Sequence, residues 1–281
     1  MAISKARRNR VAELGAHAIL LTFTLIALYP VFLIIINSFK SKKAIFRDPM
    51  ALPTLETFDP VGYSTVLTQG NFPLYFWNSF FVTSVSLFFV LLFGAMAAFA
   101  LSEYRFKGSR FMALYLALGI MIPIRLGTVG IIKLMVAAGI VGTHWALILV
   151  YTAQGLPLAI FILSEFMASV SKDLKSAGRI DGLSEYQIFL RLVLPLVRPA
   201  LATVGVFTMI PIWNDLWFPL VLAPAESTKT LTLGAQVFIG QFFSNWNAIL
   251  AAMTLAVIPV LALYLIFSRQ LISGITAGAV K

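Results

Sequence analysis

Residues 171–199 read SKDLKSAGRIDGLSEYQIFLRLVLPLVRP, a charged insert in a chain that is otherwise apolar. Its ends are punctuated. Ser171 stands where a helix cap belongs, with Asp173 in the opening turn, and Asp181-Gly182 supplies a stop because glycine tolerates the left-handed conformation that closes a helix. Ser184 followed three residues later by Gln187 is a capping box that starts a second helix, which Pro195 and Pro199 are expected to end. Tyr186, Phe189, Leu190 and Val193 give that second helix an apolar face, suited to the membrane interface or to a partner. The pattern predicts a stiff helix-turn-helix projecting from a membrane protein.

The surroundings of the insert require lipid. With 60% hydrophobic and only 11% charged residues over 281 positions, the chain has more apolar surface than one water-soluble core can hide. Crossing the hydrocarbon layer takes about 20 apolar residues in a helix, and segments of that size recur at 16–39, 76–101, 111–137, 145–167, 200–222 and 247–267. They predict an all-α integral membrane domain of six spans, single over 1–281, with the insert in a loop at 168–199. Arg125 and Lys133 interrupt the third span. Basic Met1–Arg10 precedes an apolar run longer than a secretory signal, so the first segment reads as a retained helix.

Orientation follows from the cations, because cytoplasmic loops retain lysine and arginine. With the amino terminus inside, 14 of the 21 fall on the inner side, which places both termini in the cytoplasm. The net charge of +10 is then mostly topology, and no nucleic-acid partner is expected. Absence of cysteine excludes disulfides and thiol chemistry. The connection 40–75, with Pro49, Pro53, Pro60 and Pro73, reads as irregular and exposed to a partner outside, and 231–243 as a short interfacial helix. Prolines 30, 123, 157, 211 and 259 lie inside spans and predict bent helices around a gated cavity.

The segment Ser176 to Pro195 resembles the cytoplasmic loop of ABC-importer permeases, whose pattern is EAA-x3-G-x9-I-x-L-P. Ala177 takes the first alanine, Gly182 the glycine, Leu192 the isoleucine and Leu194-Pro195 the closing pair. Ser176 replaces the usual glutamate and Gly178 the second alanine. Trp213-Asn214-Asp215 with Phe218-Pro219-Leu220 resembles an element of the fifth span in maltose-type carbohydrate permeases, and Asn78-Ser79, Tyr104 to Gly108 and the tail from Gly274 to Lys281 fit the same subfamily.

That resemblance implies the smaller permease subunit of a type I importer, of MetI-like fold, in the inner membrane. It implies a second permease subunit, two ATP-binding subunits carrying ATP and Mg, an external solute-binding protein and a carbohydrate solute. In this arrangement a coupling helix around Leu174, Ser176, Ala177, Gly178, Asp181 and Gly182, closed by Leu194 and Pro195, sits in a cleft of the ATPase. A short helix fixed at both ends transmits motion that a flexible loop would dissipate.

For the solute path the candidates are Arg125, Trp213, Asn214, Asp215 and Trp217. Asp215 is the one acid well inside a span, ~22 Å from its inner end at 1.5 Å per residue, and Arg125 lies at similar depth. Ionisable groups so deep face a partner, water or the transport route, and both an Arg125–Asp215 structural pair and a path-lining role are open. Tryptophans 213 and 217, four apart, share a face if the helix is continuous, and serve either a sugar or the interfacial belt. Arg125 also raises an anionic sugar as solute.

His17 and His144 stand apart from other ligand types, so no metal site is expected, and no HExxH, GxSxG or Walker A sequence occurs. The chain therefore reads as non-enzymatic, with energy arriving through a partner. A secondary solute carrier with six spans is the alternative, but paired intramembrane carboxylates and inverted repeats are not visible. An intramembrane enzyme would need a nucleophile-base pair or metal cluster that the spans do not show.

Overall fold

The computed structural model describes residues 2–68, 71–236 and 245–279, with side chains for 13–68, 71–236, 245–262 and 265. The chain gathers into two compact groups: Met1–Phe72 with Val237–Val257, and Pro73–Gln236 with Ile258–Lys281. Among the described residues the structure is helical, with a single isolated β-bridge, Lys40 to Phe58.

In the first group, α1 (Ala2–Ser38) runs through Pro30 without a break. Between residues 13 and 29 every side chain is exposed, so the protein alone does not solvate this helix; an all-round apolar helix of this kind belongs in lipid or against another subunit. The connection beyond it is more ordered than its prolines suggest. It holds α2 (Lys42–Arg47) and α3 (Val61–Thr68), and Ser41 N donates to Thr57 O at 2.9 Å while Asp59 N donates to Phe39 O at 2.8 Å. Proline at a helix start loses no hydrogen bond, which is why Pro60 precedes α3 and Pro73 fits the first turn of the next helix. Lys40 is buried here and donates to the Asp48 carbonyl at 3.0 Å; desolvation holds its ammonium pKa below the ordinary lysine value.

The second group contains α4 (Phe72–Glu103), α5 (Ser109–Met121), α6 (Thr128–Ala137), α7 (His144–Ser169), α8 (Lys172–Ile180), α9 (Glu185–Gln187), α10 (Leu194–Leu196), α11 (Arg198–Trp213), α12 (Trp217–Leu222), α13 (Leu231–Ala235) and the later part of α14 (Trp246–Ala279). Among the described residues three helices are long and apolar enough to cross a membrane: residues Glu13–Ser38 of α1, α4 and α7. Two bent pairs bring the number to five, and α14 adds a shorter apolar stretch, Trp246–Ala262. The six apolar segments read from the sequence thus fall on helices, two of them broken.

Both breaks correct the expectation of continuous spans. The third segment stops at Met121, turns through a 3-10 turn at Ile124–Gly127 and resumes as α6 at 91°. Pro123 is responsible, since it offers no N–H to the turn before it. The fifth segment breaks at residues 214–216, between α11 and α12. Prolines 30, 157, 211 and 259 remain inside continuous helices, so only Pro123 coincides with a break. The interfacial helix expected over 231–243 is α13 in its described part; 237–243, like the last two residues of the tail, lie outside the described residues.

Helices in lipid gain little from hydrophobicity and associate through close packing, which favours small residues at the contact. Ala95 and Ala98 of α4, Ala159 of α7 and Ala200 of α11 occupy that position, filled in by Val90, Leu163, Met167 and Val204. Ile188, Phe189 and Val193 from the insert join the same core. A second core places Leu147, Ile148 and Tyr151 of α7 against Ile212, Phe218 and Leu222. Its return segment is tied back to α4: Asn78 Nδ2 donates to the carbonyls of Ser227 and Lys229 at 3.0 and 2.9 Å, and Leu231 N donates to Ser79 Oγ at 2.8 Å.

Candidate functional site: an anchored loop helix and a polar junction of two broken spans

The insert folds as its punctuation predicts at its start. Asp173 N donates to Ser171 Oγ at 3.1 Å, and Asp181 N donates to Ala177 O at 2.8 Å. Gly182 has φ +79°, the left-handed value that an L side chain adopts at a cost, and this turns the chain so that Leu183 N reaches Gly178 O at 2.9 Å. Ser184 N donates to Gln187 Oε1 at 2.9 Å and Gln187 N donates to Ser184 Oγ at 3.4 Å, a complete capping box.

The second helix departs from the expected amphipathic rod. After α9 the backbone widens into a π-turn at Ile188–Val193, and the helix ends with α10 at Leu196, between the two prolines expected to stop it, although Pro195 does not itself interrupt the turn. The proline instead lies in the first turn of α10, where its missing N–H costs nothing. The path bends by 76° between Glu185–Leu196 and α11. The face expected to lie on the interface divides: Phe189 and Val193 are buried while Tyr186 and Leu190 are exposed.

An ion-pair cluster fastens α8. Lys175 Nζ meets Glu103 Oε2 at 2.5 Å, and Arg179 Nη2 meets Glu103 Oε1 at 2.7 Å. Arg179 Nε also meets Glu185 Oε1 at 2.7 Å, and Tyr104 Oη donates to Glu185 Oε2 at 2.6 Å. The bonds from Arg179 and then Tyr104 hold the Glu185 carboxyl down to about 2, and desolvation followed by the Glu185 bond pushes the Tyr104 phenol up to about 12. Lys175 and Arg179 are four apart on one helix face, and Gly178 between them is buried; a Cβ there would stand 2.9 Å from Leu192 Cδ1. Opposite that face, Leu174, Ser176, Ala177, Asp181 and Gly182 are exposed, whereas Leu194 and Pro195 are half-buried.

The two broken spans meet at a polar junction. Asp215 is 7% exposed, and its carboxylate accepts four bonds: from Arg125 Nη2 and Trp217 N at 3.2 Å each, from Phe218 N at 3.0 Å and from Tyr151 Oη at 2.9 Å. Thr232 Oγ1 donates to the Asp215 carbonyl at 2.7 Å. Trp217 Nε1 donates to Thr128 Oγ1 at 3.0 Å, and that hydroxyl donates to Arg125 O at 2.5 Å. Asp215 therefore opens α12 by bonding its first N–H groups, which is the physical reason for the break at 214–216. Asn214 is exposed, its amide bonded to Ile210 O at 2.9 Å.

The break also separates the two tryptophans, which do not share the face a continuous helix would provide. Trp213 is buried edge-on against Phe76, with ring centroids 5.7 Å apart, and Trp217 is exposed beside Thr128. Of the five path candidates the structure brings Arg125, Asp215 and Trp217 together.

Residues 90–276 match the model of the family described as binding-protein-dependent transport system inner membrane component. The chain belongs to that family. A diacetylchitobiose uptake system permease protein of Streptomyces coelicolor is 30% identical to this inner membrane component over 283 residues, covering 100% of this chain and 93% of the relative. An arabinooligosaccharides transport system permease protein of Halalkalibacterium halodurans is 32% identical over 260 residues, covering 91% of this chain and 92% of the relative. The fold matches a chain in the crystal structure of a bacterial ABC transporter that imports the acidic polysaccharide alginate, with a TM-score of 0.80, 24% identity and coverage of 94% and 97%. The inner membrane component is thus an ABC-importer permease in fold, and the carrier alternative has no support from these relatives.

Sequence reasoning missed Glu103, Tyr104 and Glu185 as anchors of the loop helix in this permease. The signal was present in the pair Lys175 and Arg179 at helical spacing, which need an acid, and in Glu103 at the end of an apolar span. It missed Tyr151 and Thr128 at the junction, because their partners Asp215 and Trp217 are 64 and 89 residues away in the chain.

Proposed function

We propose that this permease is the membrane subunit through which a carbohydrate ABC importer receives solute from an external binding protein, pairing with a second permease and taking its energy from two cytoplasmic ATPases. The carrying observation is the α8 helix: one face is pinned by Lys175 and Arg179 to Glu103, and the other presents Leu174, Ser176, Ala177 and Asp181 to solvent. A helix so divided moves with α4 on one side and is open to a partner on the other. ATP binding biases the permease between outward-facing and inward-facing states only if the partner grips this helix differently in each.

Sugar as the solute class is supported by the relatives named for diacetylchitobiose and arabinooligosaccharides. The proposal places the loop 168–199 and both termini in the cytoplasm and the chain in the inner membrane, with ATP and Mg held by the ATPase and no catalysis in this subunit. Replacing exposed Ala177 by tryptophan tests the docking. Co-purification of the ATPase is expected to be lost while the melting temperature of the permease pair stays unchanged; full retention of the ATPase with normal uptake contradicts the proposal.

A further inference from the structure

A cleft of about 670 Å³ opens between α5, the 3-10 turn and α7, lined by Gly119, Pro123, Arg125, Gln154, Pro157 and Leu158 among others. It carries a marked chemical asymmetry. Among the described residues Arg125 is the single charged residue of the lining and Gln154 the single amide, and no carboxylate lines it. The Asp215 carboxylate has four acceptor positions and all four are filled, three of them by uncharged donors, so it offers nothing to a solute. Arg125 spends one of its N–H groups on Asp215, and its side chain is 67% exposed. Gln154 is exposed and makes no hydrogen bond among the described residues.

The cleft therefore presents donors on a planar cation together with an amide, against walls of proline and aliphatic carbon. Guanidinium matches the geometry of a carboxylate, and such bonds strengthen where water is scarce. We propose that this cleft is a contact site for a carboxylate-bearing sugar, with Arg125 on the carboxylate and Gln154 on a ring hydroxyl, so that this subunit itself discriminates by charge. The inference rests on the importer reading and names the solute class of its path. Asp215 serves here as a positioning residue, holding the guanidinium from behind.

The permease–ATPase complex in phosphatidylcholine nanodiscs tests it, with a galacturonic acid disaccharide and its carboxyl-reduced neutral form as probes in equilibrium binding. The charged disaccharide is expected to bind about tenfold more tightly, the worth of one charge-assisted bond. Arg125→Gln is expected to abolish the difference. Gln154→Glu, on an exposed side chain away from the Asp215 pair, alters the hydroxyl contact for both probes but sets a negative charge beside the carboxylate alone, and is expected to weaken the charged probe about tenfold more than the neutral one. Equal binding of the two probes by the wild type, binding of neither, or a preference that survives both substitutions overturns the inference. So does Arg125-dependent retention of phosphatidylglycerol in place of the disaccharide, read by native mass spectrometry, since the cleft is then a lipid headgroup site. Loss of the ATPase from the purified complex strikes the importer reading as well; a missing charge preference in a complex that retains its ATPase strikes this inference alone.

Discussion

Lys175 of α8 and Glu103 at the end of α4 form an ion pair in which the lysine side chain is 3% exposed and the glutamate 12%. Because the second oxygen of Glu103 holds Arg179, one carboxylate grips two successive turns of the loop helix. A force applied to the outer face of α8 therefore reaches α4 through a short polar connection, while Ile188 and Val193 carry it into the apolar core.

Substituting Lys175 by methionine leaves Glu103 with Arg179 alone. Removing one partner of a buried pair is strongly destabilising, and the remaining arginine places the loss at the low end, about 3 kcal/mol. Glu103→Gln is expected to cost more, since it leaves two cations facing one amide. Chemical denaturation in detergent checks the order of the two variants; a Lys175→Met protein as stable as wild type contradicts the buried pair.

Glu185 makes the cluster sensitive to acid in a defined direction. Its carboxyl is held at about 2, below the ordinary glutamate value of 4.5, so its contribution is present in full above that ordinary value and is lost as pH falls through the folded one. The stability gap between wild type and Glu185→Gln is expected to be constant from pH 7 to about 5 and to narrow from there towards about 2. Melting curves of the two proteins across that range test it, and parallel curves throughout would exclude the linkage.

Two glycines of the loop are expected to respond differently to alanine. Gly182→Ala places a Cβ on a residue at φ +79° and is expected to cost about 1 kcal/mol. At Gly178 the obstacle is the far end of the flexible Leu192 side chain, and alanine improves helix propensity by about 1 kcal/mol, so the substitution is expected to be near neutral. Gly178→Val is expected to displace Leu192 and lower stability. Thermal unfolding of the three variants separates these outcomes.

At the junction, Asp215→Asn replaces a carboxylate that accepts four bonds by an amide whose NH2 faces donors. A loss of about 3 kcal/mol is expected, roughly twice that of Tyr151→Phe, which removes one bond to a charged group. A rate of ATP hydrolysis no longer stimulated by loaded binding protein is expected in Asp215→Asn, because α12 loses its first-turn partners. Unchanged melting and stimulation in this variant would show that the junction is dispensable.

Much of the fold was legible because its signals are local. Apolar runs longer than a bilayer is thick announced the helices, and Ser171, Gly182 and the Ser184–Gln187 pair announced the loop by chemistry acting within four residues. The prolines were less informative: Pro123 marks a break whereas Pro157 and Pro211 do not. Of the path candidates, Arg125 and Asp215 were legible as a pair because isolated charges at one depth are costly; Trp213 was not legible as a packing residue, since its burial depends on Phe76, 137 positions earlier.

By itself the sequence determined that the chain is helical and lipid-bound and that it carries a stiff capped helix at 172–180, since hydropathy and capping act between near neighbours. Tertiary structure alone decided that Glu103 anchors that helix, that Pro195 is absorbed by a π-turn, and that Asp215 is saturated while Arg125 keeps donors for the cleft. Each of these depends on which distant groups share a few ångströms of poorly solvated space, and the strength of a charge or hydrogen bond there is set by the company it keeps.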